Sequence, residues 1–216
     1  MWKTHKHTIV LTLLLTLLPM AAGLILWNRL PQQIPVHFDL HSRPDGYADR
    51  AIAVFVIPAL AAAAEGLCIL VLWADPRRRG VHRRVRTLTL WIMPLLSVTI
   101  SAVSYAAALG YAVDVGMILC LLLGLLFLAL GNYLPKCTQN YTVGVRVPWT
   151  LHDPENWRCT HRFAGFVLSF AGLLTMVLAF LAPLWSLAVL TAASLLPVLY
   201  SYFYDRKHKE EPHAAD

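Results

Sequence analysis

The chain of 216 residues is 58% hydrophobic and only 14% charged, with a formal net charge of +6. Soluble domains carry about 25% charged residues, so the composition excludes an ordinary soluble protein and indicates an integral membrane protein. No segment between the apolar runs is long enough for a soluble domain, and the sequence predicts no direct binding to nucleic acid.

Long uncharged runs divide the chain into membrane spans. Residues 8–27, 87–109 and 115–134 contain no charge, and residues 51–74 contain only Glu65. Each run has about the 20 residues that a helix needs to cross a bilayer. The last run, residues 163–204, is too long for one span, and we expect it to fold into a helical hairpin at Pro183. These runs predict an all-α polytopic membrane protein with six transmembrane helices.

The distribution of Lys and Arg predicts the orientation. If residues 1–7 are cytoplasmic, so are 75–86, 132–162 and 205–216, and these four segments hold 15 of the 18 basic residues. Short loops rich in Lys and Arg stay inside, which predicts a multi-pass protein of the cell membrane with both termini in the cytoplasm. Residues 75–86 hold six arginines, which we interpret as a topology anchor that also contacts anionic membrane lipids. We divide the chain into a two-span unit, residues 1–74, and a four-span unit, residues 75–216.

The first loop, residues 28–50, connects the first two spans on the predicted outer side. Its tripeptide Pro44-Asp45-Gly46 favours a tight turn. His37, Asp39 and His41 lie within five residues, and on a strand they would share one face. Two interpretations stay open: a metal site, or a folded cap over the helix ends whose histidines protonate at about pH 6.

Glu65 is the charged residue well inside a predicted span. Acidic residues at such a position are costly and usually face the interior of a helix bundle. Glu65 is either a hydrogen-bonded side chain that ties helices together through Ser97, Ser101 or Ser104, or a group that binds a proton or a ligand. The sequence does not decide between these interpretations.

The second loop, residues 132–162, combines polar residues with two tryptophans. Asp153 suits a helix N-cap, and Pro154 suits the first helical position, so we expect a helix to begin near residue 154. On that helix Trp157 and His161 share a face, with Thr160 beside them. The loop lacks the oriented nucleophile and base of a covalent catalyst, and we predict no catalytic residue.

Two other interpretations of the second loop compete with a binding site. Trp149 and Trp157 are residues that membrane interfaces recruit, and the arginines would hold the loop inside. A metal site built from Cys159, His161 and His152 would need a fourth ligand and lacks the paired spacing of structural zinc sites. The residues alone therefore indicate a polar, aromatic interfacial site of unknown ligand, without a cofactor or a metal.

Residues 131–165, "GNYLPKCTQNYTVGVRVPWTLHDPENWRCTHRFAG", resemble the signature of the SdpI family, the membrane immunity proteins against a secreted sporulation-delaying peptide toxin. The first loop, "IPVHFDLHSRPDGYAD", resembles the domain of unknown function that precedes the signature in these proteins. This sequence departs from the family pattern at Val147, Cys159 and Ser42. The positions that match the signature are Gly131, Asn132, Pro135, Asn140, Gly144, Arg146, Pro148, Trp149, Thr150, Leu151, Trp157, Thr160, His161, Arg162 and Gly165.

The resemblance implies a function in binding. Such a protein protects its cell from a secreted peptide toxin that acts at the membrane, and it can also signal by holding a cytoplasmic transcriptional repressor at the membrane. The resemblance implies binding positions at Asn132, Asn140, Arg146, Pro148, Trp149, Thr150, Trp157, Thr160, His161 and Arg162 in the second loop and at His37, Pro44 and Asp45 in the first loop. The residues alone add Asp39 in the first loop and Glu65 inside the membrane as candidates.

Two rival functions remain open. A membrane enzyme or transporter would use Glu65, His161 and Arg146 as working groups beside a water-filled cavity. A structural subunit of a larger complex would need none of them.

Overall fold

The computed structural model describes residues 2–39 and 41–210. Within them, six helices are long and apolar enough to cross a membrane, which confirms the predicted fold class. A one-turn helix, α5, precedes the fifth of these long helices. The helices are α1 (Trp2–Ile25), α2 (Ile57–Ala74), α3 (Arg83–Ala108), α4 (Val115–Tyr133), α5 (Pro148–His152), α6 (Pro154–Leu181) and α7 (Pro183–Glu210).

Proline and aspartate set the helix boundaries where the sequence predicts them. α6 ends at Leu181 and α7 begins at Pro183, because proline cannot donate the backbone hydrogen bond that would continue α6. The side chain of Asp153 accepts a hydrogen bond from the backbone of Glu155 and so caps α6. Both predicted features are confirmed, and α6 runs from the second loop through the fifth span without a break.

Polar side chains lie inside the helical units and apolar side chains lie on their surface. Thr16, Glu65 and Ser97 are buried, whereas Phe166 and Phe203 are each more than 60% exposed. Lipid chains solvate apolar surface as well as a protein core does, so this distribution suits helices packed within a bilayer.

The first compact unit comprises Met1–Trp73 and Thr87–Gly116. It contains α1, α2 and α3, together with an antiparallel hairpin of β1 (Gln33–Phe38) and β2 (Pro44–Asp49). A turn of π-helix, Ile52–Val56, leads from the hairpin into α2. Leu30, Ile34, Val54 and Tyr105 form a buried apolar cluster with Ala53, which joins the hairpin base to the helices.

The hairpin is the part of the fold that the sequence analysis missed. The predicted turn at Pro44-Asp45-Gly46 is wrong, because these residues begin β2 and the chain reverses between Asp39 and Arg43. Ser42 adopts a φ of 61° there. Gly46 serves a different purpose: a Cβ at this position would lie 2.8 Å from the Cβ of His37, so glycine lets the two strands approach at a β-bulge.

The second compact unit comprises Ala74–Arg86 and Met117–Asp216. α6 and α7 form the antiparallel pair predicted from Pro183, and α4 packs on α6 through glycines. Val81, Val85 and Cys137 form a buried cluster that joins the arginine-rich segment to the second loop. These units group α3 with α1 and α2, whereas the division into residues 1–74 and 75–216 as functional domains stays a prediction.

Candidate functional site

The predicted positions of the first loop lie along the hairpin. His37 and Asp45 face each other across the strands, with Nδ1 of the ring 2.5 Å from Oδ1 of the carboxylate, and both side chains are exposed. Pro44 is the exposed first residue of β2. Among residues 2–39 and 41–210, no three His, Cys, Asp or Glu side chains are placed to hold a metal ion, so the proposed cluster of His37, Asp39 and His41 gains no support.

Asp39 closes the turn of the hairpin. Its Oδ1 accepts hydrogen bonds from the backbone N–H groups of Arg43 and His41, each at 2.8 Å. The bond from Arg43 is the main reason why the pKa of this carboxyl lies below its ordinary value, and the bond from His41 adds to it. Asp39 therefore shapes the turn of the hairpin through bonds to the backbone.

Glu65 is buried in the first unit, with 1% of its surface exposed. Thr16 on α1 donates to its Oε2 at 2.5 Å, and Ser97 on α3 donates to the carbonyl of Thr16 at 2.8 Å. The expectation that a serine would bind the carboxyl directly is wrong, because the hydroxyl comes from Thr16. Oε1 has no hydrogen-bond partner among the described residues. Glu65 thus links helices, and one of its oxygens remains available.

One carboxylate, that of Asp75, and one amide, that of Asn140, hold the beginning of the second loop in its conformation. Asp75, which is 4% exposed, accepts hydrogen bonds from the backbone of Arg77 and Tyr141 and from the hydroxyl of Thr142. Asn140 is fully buried, and its Oδ1 accepts from the backbone of Thr142 and Val143 at 3.0 and 2.7 Å. These bonds hold the loop against the segment that follows α2.

Thr150 organises the middle of the second loop. Its buried hydroxyl donates to the carbonyl of Val145 at 2.7 Å and accepts from the backbone N–H of Val147 at 3.2 Å. The carbonyl of Thr150 accepts from the side chain of Gln139 at 3.0 Å. Pro148 begins the short helix α5 at this point, and Val147 before it is extended, as expected for a residue that precedes proline.

Trp157 and His161 form the buried centre of the site. Their rings stack with centroids 3.9 Å apart, and the indole N–H donates to the carbonyl of Cys137 at 2.9 Å. Nδ1 of His161 lies 2.7 Å from the carbonyl of Trp157, and Nε2 accepts from the backbone N–H of Val145 at 3.2 Å. One nitrogen donates and the other accepts, which is the pattern of a neutral imidazole. His161 is therefore a satisfied structural histidine.

Gly144 makes this arrangement possible. Its φ is +120°, a backbone conformation that is strained for residues with a Cβ but not for glycine. A Cβ at this position would also lie 2.2 Å from Nε2 of His161. The sequence alone marks Gly144 as part of the signature, but its contact with His161 becomes visible only in the fold.

A second buried network joins the site to α7. Thr160 donates to Oδ1 of Asn156 at 2.9 Å, and Nδ2 of Asn156 donates to the carbonyl of Ser201 at 3.0 Å. The indole of Trp149 donates to the hydroxyl of Ser201 at 3.0 Å. Trp149 also meets the ring of Tyr202 edge-on, with centroids 5.6 Å apart. These two contacts hold the side chain of Trp149, which belongs to α5, against α7.

The remaining predicted positions lie on the surface. Asn132, Arg146, Pro148 and Arg162 are exposed, and Arg146 donates to the carbonyl of Tyr141 at 2.6 Å. A cleft of about 390 Å³ lies between α5 and the end of α7. Its walls are formed by Pro148, Trp149, His152, Asp153, Asp205, His208 and Lys209.

Sequence reasoning missed three residues of this site: Asp75, Asn156 and Ser201. Asp75 could have been noticed, since it is an acidic residue in the arginine-rich segment that follows the second span. Nothing in the sequence distinguishes Asn156 or Ser201. The described residues at the centre of the site form hydrogen bonds with one another. A partner would therefore bind the exposed residues or the cleft.

Comparison with known proteins agrees with the family resemblance found in the sequence. Residues 136–201 match the SdpI/YfhL protein family, and residues 14–62 match a domain of unknown function, DUF1648, which confirms the resemblance seen in the sequence. The chain is 25% identical to the protein named immunity protein SdpI of Bacillus subtilis (strain 168), across 92% of this chain and 96% of that protein. No solved structure matches the chain.

Proposed function

Because residues 136–201 match the SdpI/YfhL protein family, we propose that the chain is a membrane immunity protein that protects its cell from a secreted, membrane-active peptide toxin. The observation that carries this proposal is the similarity to an immunity protein over 92% of the chain.

The proposal includes an orientation. With 15 of the 18 basic residues on one side, the second loop and both termini lie in the cytoplasm and the hairpin lies outside the cell membrane. The hairpin is then the part of the chain that a secreted toxin meets first. The second loop is the part that a cytoplasmic protein would meet.

A second role follows from the same family resemblance: the second loop would capture a transcriptional repressor when toxin is present. The exposed surface suited to this role consists of Arg146, Arg162 and the cleft beside Trp149. The internal positions, among them Asn140, Thr150 and His161, would act by keeping that surface in shape.

The rival enzyme or transporter has less support than the sequence suggested. Both nitrogens of His161 are engaged in hydrogen bonds, which leaves neither for proton transfer or ligand binding in this conformation. Arg146 is exposed and donates to a backbone carbonyl. No specific observation favours this function.

The test is survival of a toxin-sensitive bacterial host that expresses the chain, over a series of toxin concentrations. We expect the parent protein to protect. At matched abundance in the membrane, Trp149→Ala should reduce protection, because it removes the bond to Ser201 and one wall of the cleft. His161→Ala should act differently and lower the abundance of folded protein, since it empties the space of a fully buried ring and leaves the N–H of Val145 without its acceptor.

Phe166→Ala is the matched control, because Phe166 is 73% exposed on α6 and makes no hydrogen bond through its side chain. We expect this variant to protect like the parent. A parent protein that reaches full abundance in the membrane and leaves toxin sensitivity unchanged would contradict the proposed function.

A further inference from the structure

The hydrogen bonds of the hairpin determine which backbone groups point away from it. Arg50 donates its backbone N–H to the carbonyl of Gln32 at 2.8 Å, one position beyond the pair Gln33–Asp49. Bonded and non-bonded pairs alternate along an antiparallel ladder. The pair Ile34–Ala48 is therefore bonded, and the pairs Gln33–Asp49 and Pro35–Tyr47 direct their backbone groups outward.

This alternation leaves β2 with an open edge. The N–H and C=O groups of Tyr47 and the N–H of Asp49 point away from β1, and no hydrogen-bond partner for them is found among residues 2–39 and 41–210. The carbonyl of Asp49 is engaged in the first turn of the helix that begins at Arg50. The side chain of Tyr47 is 58% exposed, which leaves the approach to this edge uncovered.

The opposite edge of the hairpin is protected. On β1 the outward positions are Gln33 and Pro35, and proline has no N–H to offer. Beyond Pro35 the register shifts on both sides of His37, so the ladder cannot continue regularly. Natural proteins block exposed strand edges in these two ways, and β1 shows both whereas β2 has a proline only at its first residue.

The acidic side chains of β2 do not block its edge either. Asp49 accepts a hydrogen bond from the side chain of Gln33, and Asp45 is paired with His37. Both carboxylates are thus drawn toward β1, and neither is free to repel a strand that approaches from the other side.

We propose that the open edge of β2 binds an extended segment of a peptide as a third antiparallel or parallel strand, through the N–H and C=O of Tyr47 and the N–H of Asp49. An extended peptide fits because its own N–H and C=O groups alternate with the same spacing as those of the edge. The inference rests on the proposed function for the identity of the peptide, which is then a segment of the secreted toxin.

The edge is held in place before any peptide arrives. The guanidinium of Arg50 donates to the carbonyls of Trp27 and Leu30 at 2.7 and 3.0 Å and lies over the ring of Trp27 at 4.2 Å. Ile34 on β1 is fully buried in the apolar cluster beneath the hairpin. A preorganised edge loses little conformational freedom on binding, which favours affinity.

The experiment measures binding of the sporulation-delaying peptide toxin to the full chain in lipid nanodiscs, with protection of the host measured in parallel. Tyr47→Pro removes an outward N–H and no ladder bond, and Tyr47→Ala keeps the N–H while it removes the ring. Gln33→Pro removes the outward N–H on the protected edge, and Gln33→Ala, which loses the same side-chain bond to Asp49 but keeps the N–H, is its reference. Asp49→Pro is a second variant of the open edge, in case the first does not fold, and the thermal unfolding midpoint of each variant reports folding.

We expect Tyr47→Pro and Asp49→Pro to weaken toxin binding by about three- to tenfold, the range that the loss of one hydrogen bond gives. Tyr47→Ala should bind within about twofold of the parent, and Gln33→Pro should bind within about twofold of Gln33→Ala. Equal losses for Tyr47→Pro and Tyr47→Ala, a comparable loss for Gln33→Pro relative to Gln33→Ala, or folded Tyr47→Pro and Asp49→Pro variants that bind normally would overturn the proposal.

The two proposals fail in different ways. If the parent binds toxin but does not protect the host, the proposed function is contradicted and the variants still decide the role of the edge. If the parent protects the host and the folded variants bind like the parent, only the edge is excluded. A parent that does not bind the toxin overturns the edge proposal whatever the survival of the host.

Discussion

Asp75 shows how a single carboxylate shapes the second loop. It lies at the end of α2, is almost fully buried, and accepts hydrogen bonds from two backbone N–H groups and one hydroxyl. Removal of a buried acceptor leaves its donors unsatisfied, which costs more than the bond itself contributes. The fold of the loop therefore depends on a residue that lies more than 60 positions away in the sequence.

We expect Asp75→Ala to lower the free energy of unfolding by about 3 kcal/mol, because several donors lose a charged acceptor at once. Chemical denaturation of the purified protein in detergent measures this change, and hydrogen exchange at residues 140–143 should become faster. Asp205→Ala is the control: its partner Lys209 is exposed, so its loss should cost less than about 1 kcal/mol. Unchanged exchange at residues 140–143 in the Asp75 variant would contradict this role.

His161 shows what a sequence cannot reveal about a single residue. The spacing of Trp157 and His161 predicted their shared face, and the structure confirms it. Whether the imidazole was available to a ligand depended on the N–H of Val145, which only the folded loop brings to Nε2. A signature residue can therefore be identified from sequence while its role, internal or external, is decided by long-range contacts.

At the level of helices, α4 and α6 approach each other through pairs of glycines. A Cβ on Gly172 would lie 2.6 Å from both the carbonyl of Gly124 and the backbone nitrogen of Leu128. A second pair of glycines lies at one end of the same interface. There a Cβ on Gly131 would lie 2.8 Å from the carbonyl of Gly165. Small residues permit such close packing between membrane helices.

Gly172→Ala should therefore force the two helices apart and destabilise the protein by about 2 kcal/mol, a typical cost of overpacking. The measurement is the unfolding midpoint in detergent. Gly66→Ala is a matched helical control, since a Cβ at Gly66 would have no neighbour within 4 Å. If both substitutions shift the unfolding midpoint equally, the effect comes from the helix propensity of the two residue types. The close approach of α4 and α6 would then contribute nothing to stability.

The helices and the hairpin differ in how far the sequence predicts them. Uncharged runs, the proline at 183 and the cap at Asp153 are local signals, and each predicted feature is present. The strands depend on pairing between residues up to 16 positions apart, and the loop contains a Pro-Asp-Gly tripeptide that normally marks a turn. The turn forms instead where Asp39 binds two backbone N–H groups, a combination that no short motif announces.

For the molecule as a whole, the number of spans and the orientation rest on different kinds of evidence. The six long apolar helices are present in the structure, whereas the direction in which they cross the membrane follows from the distribution of basic residues. Orientation is a property of the membrane-inserted protein, and it requires a measurement on cells.

Single cysteines placed at Tyr47 and at Arg146, in a chain whose four native cysteines are replaced, test the orientation. Both positions are exposed. A maleimide that cannot cross membranes should label Tyr47→Cys on intact cells and Arg146→Cys only after permeabilisation. Labelling of Arg146→Cys on intact cells would reverse the proposed orientation, and with it the assignment of the hairpin to the outer side.

The second loop and the segment that follows α2 bury an acidic side chain and leave arginines exposed, which affects the electrostatic potential at their surface. Asp75 and Asn140 are buried, while Arg77, Arg79, Arg146 and Arg162 remain on the surface of the same unit. A visiting molecule thus meets a field that is positive on balance and that attracts acidic groups. Dissolved salt screens such a field beyond about 8 Å at physiological ionic strength, so added salt should slow association at this surface and leave the fold beneath it intact.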